Sequence, residues 1–116
     1  MRKRFAFLVG KYHNKKVTVH GVVFDSRKEA ARYAELVVKQ SSGEIKNLET
    51  QVRFELIPKQ GKVRACFYVA DFVYEDKEGK KIVEDVKGSK QMITDVFKIK
   101  RKLMKKVYNI DVKITI

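Results

Sequence analysis

The sequence predicts an α/β fold, of the α+β kind with a mixed sheet, in the element order α-β-β-β-α-β. Two stretches, about residues 26–40 and 91–107, carry apolar residues at helical spacing, and between them lie three stretches of strand type. A chain of 116 residues that is 44% hydrophobic has the length and the apolar content of one domain. We therefore expect a single domain over 1–116, in which a basic N-terminal extension (1–24) precedes a core over 25–116.

The extension carries six basic residues and no acidic one, which is typical of either a flexible arm or a basic hairpin. Valines and Phe24 around His20-Gly21 favour a short hairpin at its end.

Each helix has a recognisable start or stop. Ser26 can cap the first helix, with Glu29 three residues later as in a capping box, and Gly43 ends it. Asn109 ends the second helix. Its predicted buried stripe consists of Met92, Ile93, Val96, Phe97, Leu103, Met104 and Val107.

The strands follow from alternation. Val52, Phe54 and Leu56 indicate the first strand, and the run from Val63 to Tyr74 is apolar on both faces, which indicates a central strand. Residues 82–87 form the third strand and 110–116 the last. Uninterrupted alternation in the central strand would place two sets on opposite faces: Val63, Ala65, Phe67, Val69, Asp71 and Val73 against Cys66, Tyr68, Ala70, Phe72 and Tyr74.

The hairpin between the second and third strands determines which side chains meet. A three-residue loop, 77–79, with Gly79 in the left-handed conformation places Asp71 directly opposite Asp85. A two-residue loop would set Val86 beside Asp71 instead. The three-residue loop also pairs Val73 with Val83, apolar with apolar, and we therefore prefer it.

Two opposed carboxylates on a largely buried face repel each other unless a cation lies between them. Lys87 projects from the same face as Asp85, because side chains repeat every second residue along a strand. Two acids and one lysine suit Mg²⁺ or Mn²⁺ chemistry on a phosphate, in which the lysine positions or deprotonates a water. One cysteine and two histidines are too few for a structural zinc site, so any metal must be bound mainly by oxygen.

These residues resemble a known family pattern. The block Tyr68-Val-Ala-Asp71-Phe followed by Val83-Glu-Asp85-Val-Lys87-Gly88 resembles the D…(D/E)-x-K core of the PD-(D/E)XK nucleases, with Ala70 where that superfamily often has proline. Together with residues 24–36 and Leu48-Glu-Thr-Gln51, it also resembles a group of small phage and prophage proteins catalogued as a domain of unknown function (DUF1064-like). This second resemblance covers about residues 12–116.

The resemblance implies a restriction-endonuclease-like αβββαβ core and metal-dependent hydrolysis of DNA phosphodiesters. Asp71 and Asp85 would be metal ligands and Lys87 the catalytic lysine. Glu29 matches an acid that members often add from the first helix, and Gln51 also follows the family pattern. Glu84 points to the opposite face and is not assigned to the site.

Each assignment has a structural alternative. Glu29 can simply complete a capping box, and Gln51 can be a polar residue at a strand start. Asp71 and Lys87 can form a structural ion pair without activity, although Asp85 would then lack a partner.

The net charge of +13 favours a polyanionic partner. The expected DNA contacts are the cations of the second helix and of the N-terminus: Lys98, Lys100, Arg101, Lys102, Lys105, Lys106, Arg2, Lys3, Arg4, Lys15 and Lys16. Alternatively, the helix cations are an ordinary solvated face, and Lys100 extends along the edge of the core.

The leading function is a Mg²⁺-dependent DNA endonuclease of phage or prophage origin, acting in replication or recombination. Branched DNA such as a Holliday junction is the first substrate expected, and symmetric cutting would require a homodimer. The alternatives are a flap or nicking endonuclease, a DNA-binding module without catalysis and, with less support, an RNA-directed protein. No signal peptide or membrane span is evident, so we expect a cytoplasmic protein of a bacterial host that does not associate with membranes.

Overall fold

The computed structural model describes residues 16–116. Its strands, in chain order, are β1 (Val17–Val19), β2 (Val22–Phe24), β3 (Lys46–Ile57), β4 (Cys66–Glu75), β5 (Lys81–Val86) and β6 (Lys113–Thr115). The helices are α1 (Arg27–Ser41), a 3-10 turn (Lys90–Met92) and α2 (Asp95–Tyr108). In this part of the chain, no helix combines the length and the apolar character needed to cross a bilayer.

Strands β3 to β6 form one sheet in the order β3-β4-β5-β6. The first three are antiparallel, whereas β6 runs parallel to β5. Parallel neighbours need a crossover connection, which the segment containing α2 provides. The sheet is therefore mixed, and the predicted α/β fold class and element order are confirmed.

Strands β1 and β2 form a separate two-stranded hairpin. His20 and Gly21 form its turn with φ values of 49° and 81°, as a tight hairpin turn with two left-handed residues requires. The predicted hairpin at the end of the extension is thus confirmed. The predicted DNA contacts Arg2, Lys3, Arg4 and Lys15 lie outside the described residues.

Each face of the sheet has its own core. On one face, Tyr68, Ala70 and Val83 pack with Phe97 and Met104 of α2. On the other face, the second core combines residues of β2, α1, β4 and the segment before β3: Phe24, Ala30, Leu36, Ile45, Phe72 and Tyr74. The sheet is therefore covered by α1 and the small hairpin on one side and by α2 on the other.

The β4–β5 hairpin has the predicted register. Val73 pairs with Val83, and the backbone N–H of Asp76 donates to the carbonyl of Lys80 at 3.0 Å across the three-residue loop. Gly79 has a φ of 81°, which is the left-handed conformation that the loop requires. Pairing between β4 and β5 ends at Phe72 and Glu84, one rung before Asp71 and Asp85. The predicted directly opposed pair of Asp71 and Asp85 is therefore not part of the ladder, because the strands separate there.

The predicted uninterrupted alternation along β4 is wrong. Ala70 and Val73 both lie in the α2-side core, although strict alternation would put residues three positions apart on opposite faces, and Phe72 lies in the α1-side core. In the neighbouring strand β3, side chains also change faces at this rung, where Gln51 has a φ of 53°. Because both strands exchange faces together, the pairing register continues from Thr50–Phe72 to Val52–Ala70.

Several element boundaries also differ from the predictions. The second helix does not run from 91: a 3-10 turn comes first, and the Thr94 hydroxyl accepts from the N–H of Phe97 at 3.1 Å to begin α2 at Asp95. Met92, Val96 and Val107 of the predicted buried stripe are exposed. The central strand begins at Cys66 rather than at Val63, and the last strand at Lys113 rather than at residue 110.

A buried ion pair connects α1 to the sheet. The Arg32 guanidinium donates to both carboxylate oxygens of Glu84, at 2.5 and 3.0 Å, and the Tyr74 hydroxyl donates to the same group at 2.6 Å. Glu84 is completely buried. Burial by itself would raise the pKa of Glu84, but the hydrogen bonds from Arg32 and Tyr74 outweigh it and lower that pKa.

We expect Arg32→Ala to lower the free energy of unfolding by about 3–5 kcal/mol, because it leaves the Glu84 carboxylate buried without its cation. Glu35→Ala is the matched control, since it removes only the exposed partner of Arg32 and should cost about 0.5 kcal/mol or less. Urea unfolding of the two variants and the parent measures the difference. Equal losses for both variants would contradict a structural role of the buried pair.

Candidate active site

A cleft of about 530 Å³ opens where β4 and β5 stop pairing. Glu29 of α1, Asp71 of β4, Asp85 of β5 and Lys87 just after β5 all line it. Further lining comes from the start of α1, from β4 and from the segment after β5: Asp25, Ser26, Arg27, Lys28, Val69, Val86, Gly88 and Met92. The structure thus brings four of the predicted site residues to one cavity.

Asp71 lies at the separation point of the two strands. Its Oδ2 accepts from the backbone N–H of Val86 at 2.8 Å, so the carboxylate bonds to β5 beyond the last backbone pair of β4 with β5. Burial raises the pKa of Asp71 to about 6, and the negative charge of Glu29 adds to the effect, while the Val86 N–H opposes it. Asp71 therefore takes up a proton more readily than an ordinary aspartate.

Asp85 is 6% exposed and has two partners on the α2 side of the sheet. The Tyr68 hydroxyl donates to Oδ2 at 2.8 Å, and the Lys87 ammonium lies 3.4 Å from Oδ1. Burial and the charge of Asp71 raise the pKa of Asp85, although Tyr68 and Lys87 oppose the change. The same ammonium lies 4.2 Å from the centroid of the Phe97 ring, an attractive cation–π position.

Lys87 therefore pairs with Asp85. The structural alternative, an ion pair between Lys87 and Asp71, is not what the structure shows. The ring of Phe97 packs against that of Tyr68, with 6.3 Å between the centroids. The carboxylate and the ammonium are thus held by neighbouring aromatic rings of β4 and α2.

Glu29 lies in the first turn of α1 and also lines the cleft. Its backbone N–H donates to the Ser26 hydroxyl at 3.2 Å, so Ser26 is the N-cap of α1. The same hydroxyl lies 3.3 Å from Glu29 Oε2, while the side chain faces the cleft near Asp71. The N-cap Ser26 and the cleft acid Glu29 are therefore in direct contact at the start of α1.

Gln51 reaches the edge of the site from β3. Its side-chain amide nitrogen is 3.5 Å from Oδ1 of Asp71, at the limit of a hydrogen bond. Gln51 has a left-handed backbone conformation, and at this residue the side chains of β3 change from one face of the sheet to the other.

The donor set suits a metal that keeps part of its water shell. Within residues 16–116, no group of three or more His, Cys, Asp or Glu side chains is arranged to hold a metal ion. Mg²⁺ needs no such group, since it is usually bound by one or two carboxylates together with waters and substrate phosphates. Asp71 and Asp85 would supply these ligands, and Glu29 lines the same cleft.

Sequence reasoning missed Tyr68, Arg27 and Lys28. The expected alternation placed Tyr68 on the face opposite Asp71, and only the exchange of faces at Gln51 brings the Tyr68 hydroxyl to Asp85. Arg27 and Lys28 line the cleft in the first turn of α1, where cations are unfavourable for the helix dipole. That local conflict was the available signal for these two residues.

The predicted cationic surface on α2 is partly engaged within the protein. Lys105 pairs with Asp111 at 3.1 Å, Lys98 lies 4.0 Å from Asp95, and Arg101 Nε donates to a backbone carbonyl. Of the other predicted DNA contacts that the structure describes, Lys100 is half-buried, and Lys102 and Lys106 are exposed. Lys16 pairs with Asp25 at 3.0 Å.

We expect Asp71→Asn to become more stable than the parent as the pH rises from about 4 to 7. In the parent, Asp71 ionises at a higher pH in the folded protein than in the unfolded chain, so its contribution to stability falls across this window. Across this pH range, the difference in the free energy of unfolding between Asp71→Asn and the parent should grow by about 1–2 kcal/mol. A tenfold change in proton affinity corresponds to about 1.4 kcal/mol, and water screens part of the electrostatic effect. The asparagine side chain can still accept the hydrogen bond from the Val86 N–H. Urea unfolding at several pH values measures the difference, and parallel pH–stability curves for the two proteins would contradict the raised pKa of Asp71.

Comparison with known proteins places the chain in one family. The family model described as "Protein of unknown function (DUF1064)" matches residues 9–116. No curated protein and no solved structure matches the chain. Since the family match covers nearly the whole length, the chain belongs to the DUF1064 family.

Proposed function

We propose that the protein is a divalent-metal-dependent DNA endonuclease of the PD-(D/E)XK type. The observation that carries the proposal is the convergence of Asp71, Asp85, Lys87 and Glu29 on one cleft. These residues come from α1, β4 and the end of β5, in a chain with the order α-β-β-β-α-β. Acidic side chains that share a cleft with a lysine repel one another, and metal-assisted phosphodiester hydrolysis is a chemistry that uses such a combination.

The electrostatics of the cleft support this proposal. Asp71 and Asp85 both have raised pKa values, because burial and repulsion from a neighbouring carboxylate oppose their ionisation, with Glu29 acting on Asp71 and Asp71 acting on Asp85. A divalent cation between them would remove that repulsion and keep both carboxylates charged. Arg27, Lys28 and Lys87 line the same cleft and would attract a phosphate to it.

The residues then have distinct roles. Asp71 and Asp85 would hold Mg²⁺ or Mn²⁺, with Glu29 nearby in the cleft, and the metal would supply stabilisation of negative charge on the phosphate. Lys87, held by Asp85 and the Phe97 ring, donates a hydrogen bond to a phosphate oxygen or to the attacking water. Gln51 orients Asp71, and Tyr68 orients Asp85.

We propose DNA as the substrate because of the +13 charge of the chain, and branched DNA such as a four-way junction as the first form to examine. Within one chain, Glu29, Asp71, Asp85 and Lys87 line one and the same cleft. Symmetric cutting of two strands would therefore use a homodimer, while a flap or nicking endonuclease would act as a monomer. A phage-type role in replication or recombination is part of this proposal.

Asp85→Asn should reduce metal-dependent cleavage at least about 100-fold, because it removes a charged metal ligand while keeping the shape of the side chain. The assay uses linear duplex, single-stranded, flapped and four-way-junction DNA with Mg²⁺, Mn²⁺ or EDTA. Asp95→Asn is the control, since this fully exposed acid lies outside the cleft. Failure of the parent to cut any of these substrates would overturn the nuclease proposal.

Two buried tyrosines allow a matched test of the site. Tyr68 donates to Asp85 in the cleft, and Tyr74 donates to Glu84 on the opposite face of the sheet. Tyr68→Phe should weaken Mg²⁺ binding about 10-fold or more, because the orienting partner of a metal ligand is lost. Tyr74→Phe removes the same kind of hydrogen bond and should leave Mg²⁺ affinity unchanged.

Calorimetric Mg²⁺ titration of both variants measures this difference, and urea unfolding checks that each is folded. Equal Mg²⁺ affinities for the two variants would contradict the positioning role of Tyr68.

A DNA-binding module without catalysis is the second candidate. The observation in its favour is that both oxygens of Asp85 already have partners, Tyr68 and Lys87, without a metal. Such a module would bind DNA equally well in Mg²⁺ and in EDTA, and Asp85→Asn would bind as the parent does.

A further inference from the structure

The β3–β4 hairpin extends away from the cleft beyond the point where β4 leaves β5. We call residues 51–69 of this hairpin the β3–β4 arm. From Asp71 to Cys66 the strand advances about 17 Å, at roughly 3.4 Å per residue. That length corresponds to about five base pairs of duplex DNA.

One face of the arm is free of both cores. Its even-numbered side chains, such as Phe54 and Tyr68, pack under α2, while Arg53, Phe67 and Val69 on the opposite face belong to neither core. Val69 is 44% exposed and also lines the cleft, so this face is continuous with the candidate active site.

The arm is cationic, with four basic side chains and one acidic one, Glu55. The basic residues are Arg53 on the free face and three at the tip, namely Lys59, Lys62 and Arg64. Among the described residues, no carboxylate lies within ion-pair distance of any of these four cations. In α2, by contrast, Lys98 and Lys105 have acidic partners.

The arm is also ordered in advance of any ligand. Two backbone hydrogen bonds, of 2.9 and 2.8 Å between Gln60 and Val63, close the tip around Gly61, whose φ is 57°. The Arg53 guanidinium carbon lies 4.0 Å from the centroid of the Phe67 ring, which restrains this long side chain while leaving its donors available. A polyanion that binds here would therefore meet cations that are already positioned.

We infer that the free face and basic tip of the β3–β4 arm bind the phosphate backbone of duplex DNA on one side of the cleft. Three observations carry this inference: the continuity through Val69, the length of the arm, and four cations that have no ion-pair partner among residues 16–116. It rests on the proposed DNA-directed function, and it assigns the main duplex contact to the arm and not to the cations of α2.

The test compares two variants that remove the same charge. Lys59→Ala/Lys62→Ala/Arg64→Ala removes three cations from the arm tip, and Lys98→Ala/Lys102→Ala/Lys106→Ala removes three from the exposed side of α2. Fluorescence anisotropy in EDTA measures binding to a labelled 20-base-pair duplex between 50 and 200 mM salt. Thermal melting verifies that both proteins are folded, and Lys62→Glu against Lys102→Glu provides a second, single-site pair.

The arm variant should bind at least about 10-fold more weakly than the parent, with a salt dependence reduced by about two to three phosphate contacts. The α2 variant should change affinity by less than about threefold. Equal losses in both variants, a larger loss in the α2 variant, or no duplex binding by the parent would overturn the inference. Tighter binding of duplex RNA than of DNA through the arm would overturn the choice of DNA.

Cleavage measured in parallel with Mg²⁺ separates this inference from the nuclease proposal. A parent that does not cut, together with arm-dependent binding, would overturn the nuclease and support the arm. A parent that cuts, together with an arm variant that binds normally, would overturn the arm alone.

Discussion

The buried ion pair between Arg32 and Glu84 is the contact on which the candidate site depends. It joins α1 to β5 on the face of the sheet opposite the α2-side core. Glu29 precedes Arg32 by three residues, so both lie on the same side of α1. Holding Arg32 against β5 therefore places Glu29 beside Asp71 and the end of the same strand. A structural carboxylate on one face thus positions the acids of the cleft.

Consecutive acids on β5 have opposite roles because a strand projects neighbouring side chains to opposite faces. Glu84 has a lowered pKa beside Arg32, whereas Asp85 has a raised pKa beside Asp71. The first acid is satisfied within the protein and the second keeps an electrostatic cost that a cation can relieve. The separation of β4 from β5 at this rung opens the space that such a cation and a phosphate would need.

The exchange of faces at Gln51 connects the fold to both proposals. It brings Tyr68 under Asp85 on the α2 side, and it leaves Arg53, Phe67 and Val69 on a face that no core covers. Asp71 of the candidate site and the proposed DNA contact are therefore adjacent along one hairpin, while much of α2 serves the core. In this arrangement, an unusual backbone conformation in β3 determines which residues of β4 reach the cleft.

Local patterns in the sequence determined the element order, the cap at Ser26, the three-residue loop at Gly79 and the register that brings Asp71 towards Asp85. These features depend on neighbouring residues, and periodicity and turn chemistry describe such features well. Tertiary structure alone decided the partner of Lys87, the contact of Tyr68 with Asp85 and the pairing of Arg32 with Glu84. Each of these depends on contacts between distant segments, and the reversal at Gln51 breaks the strict alternation from which sequence reasoning assigns faces.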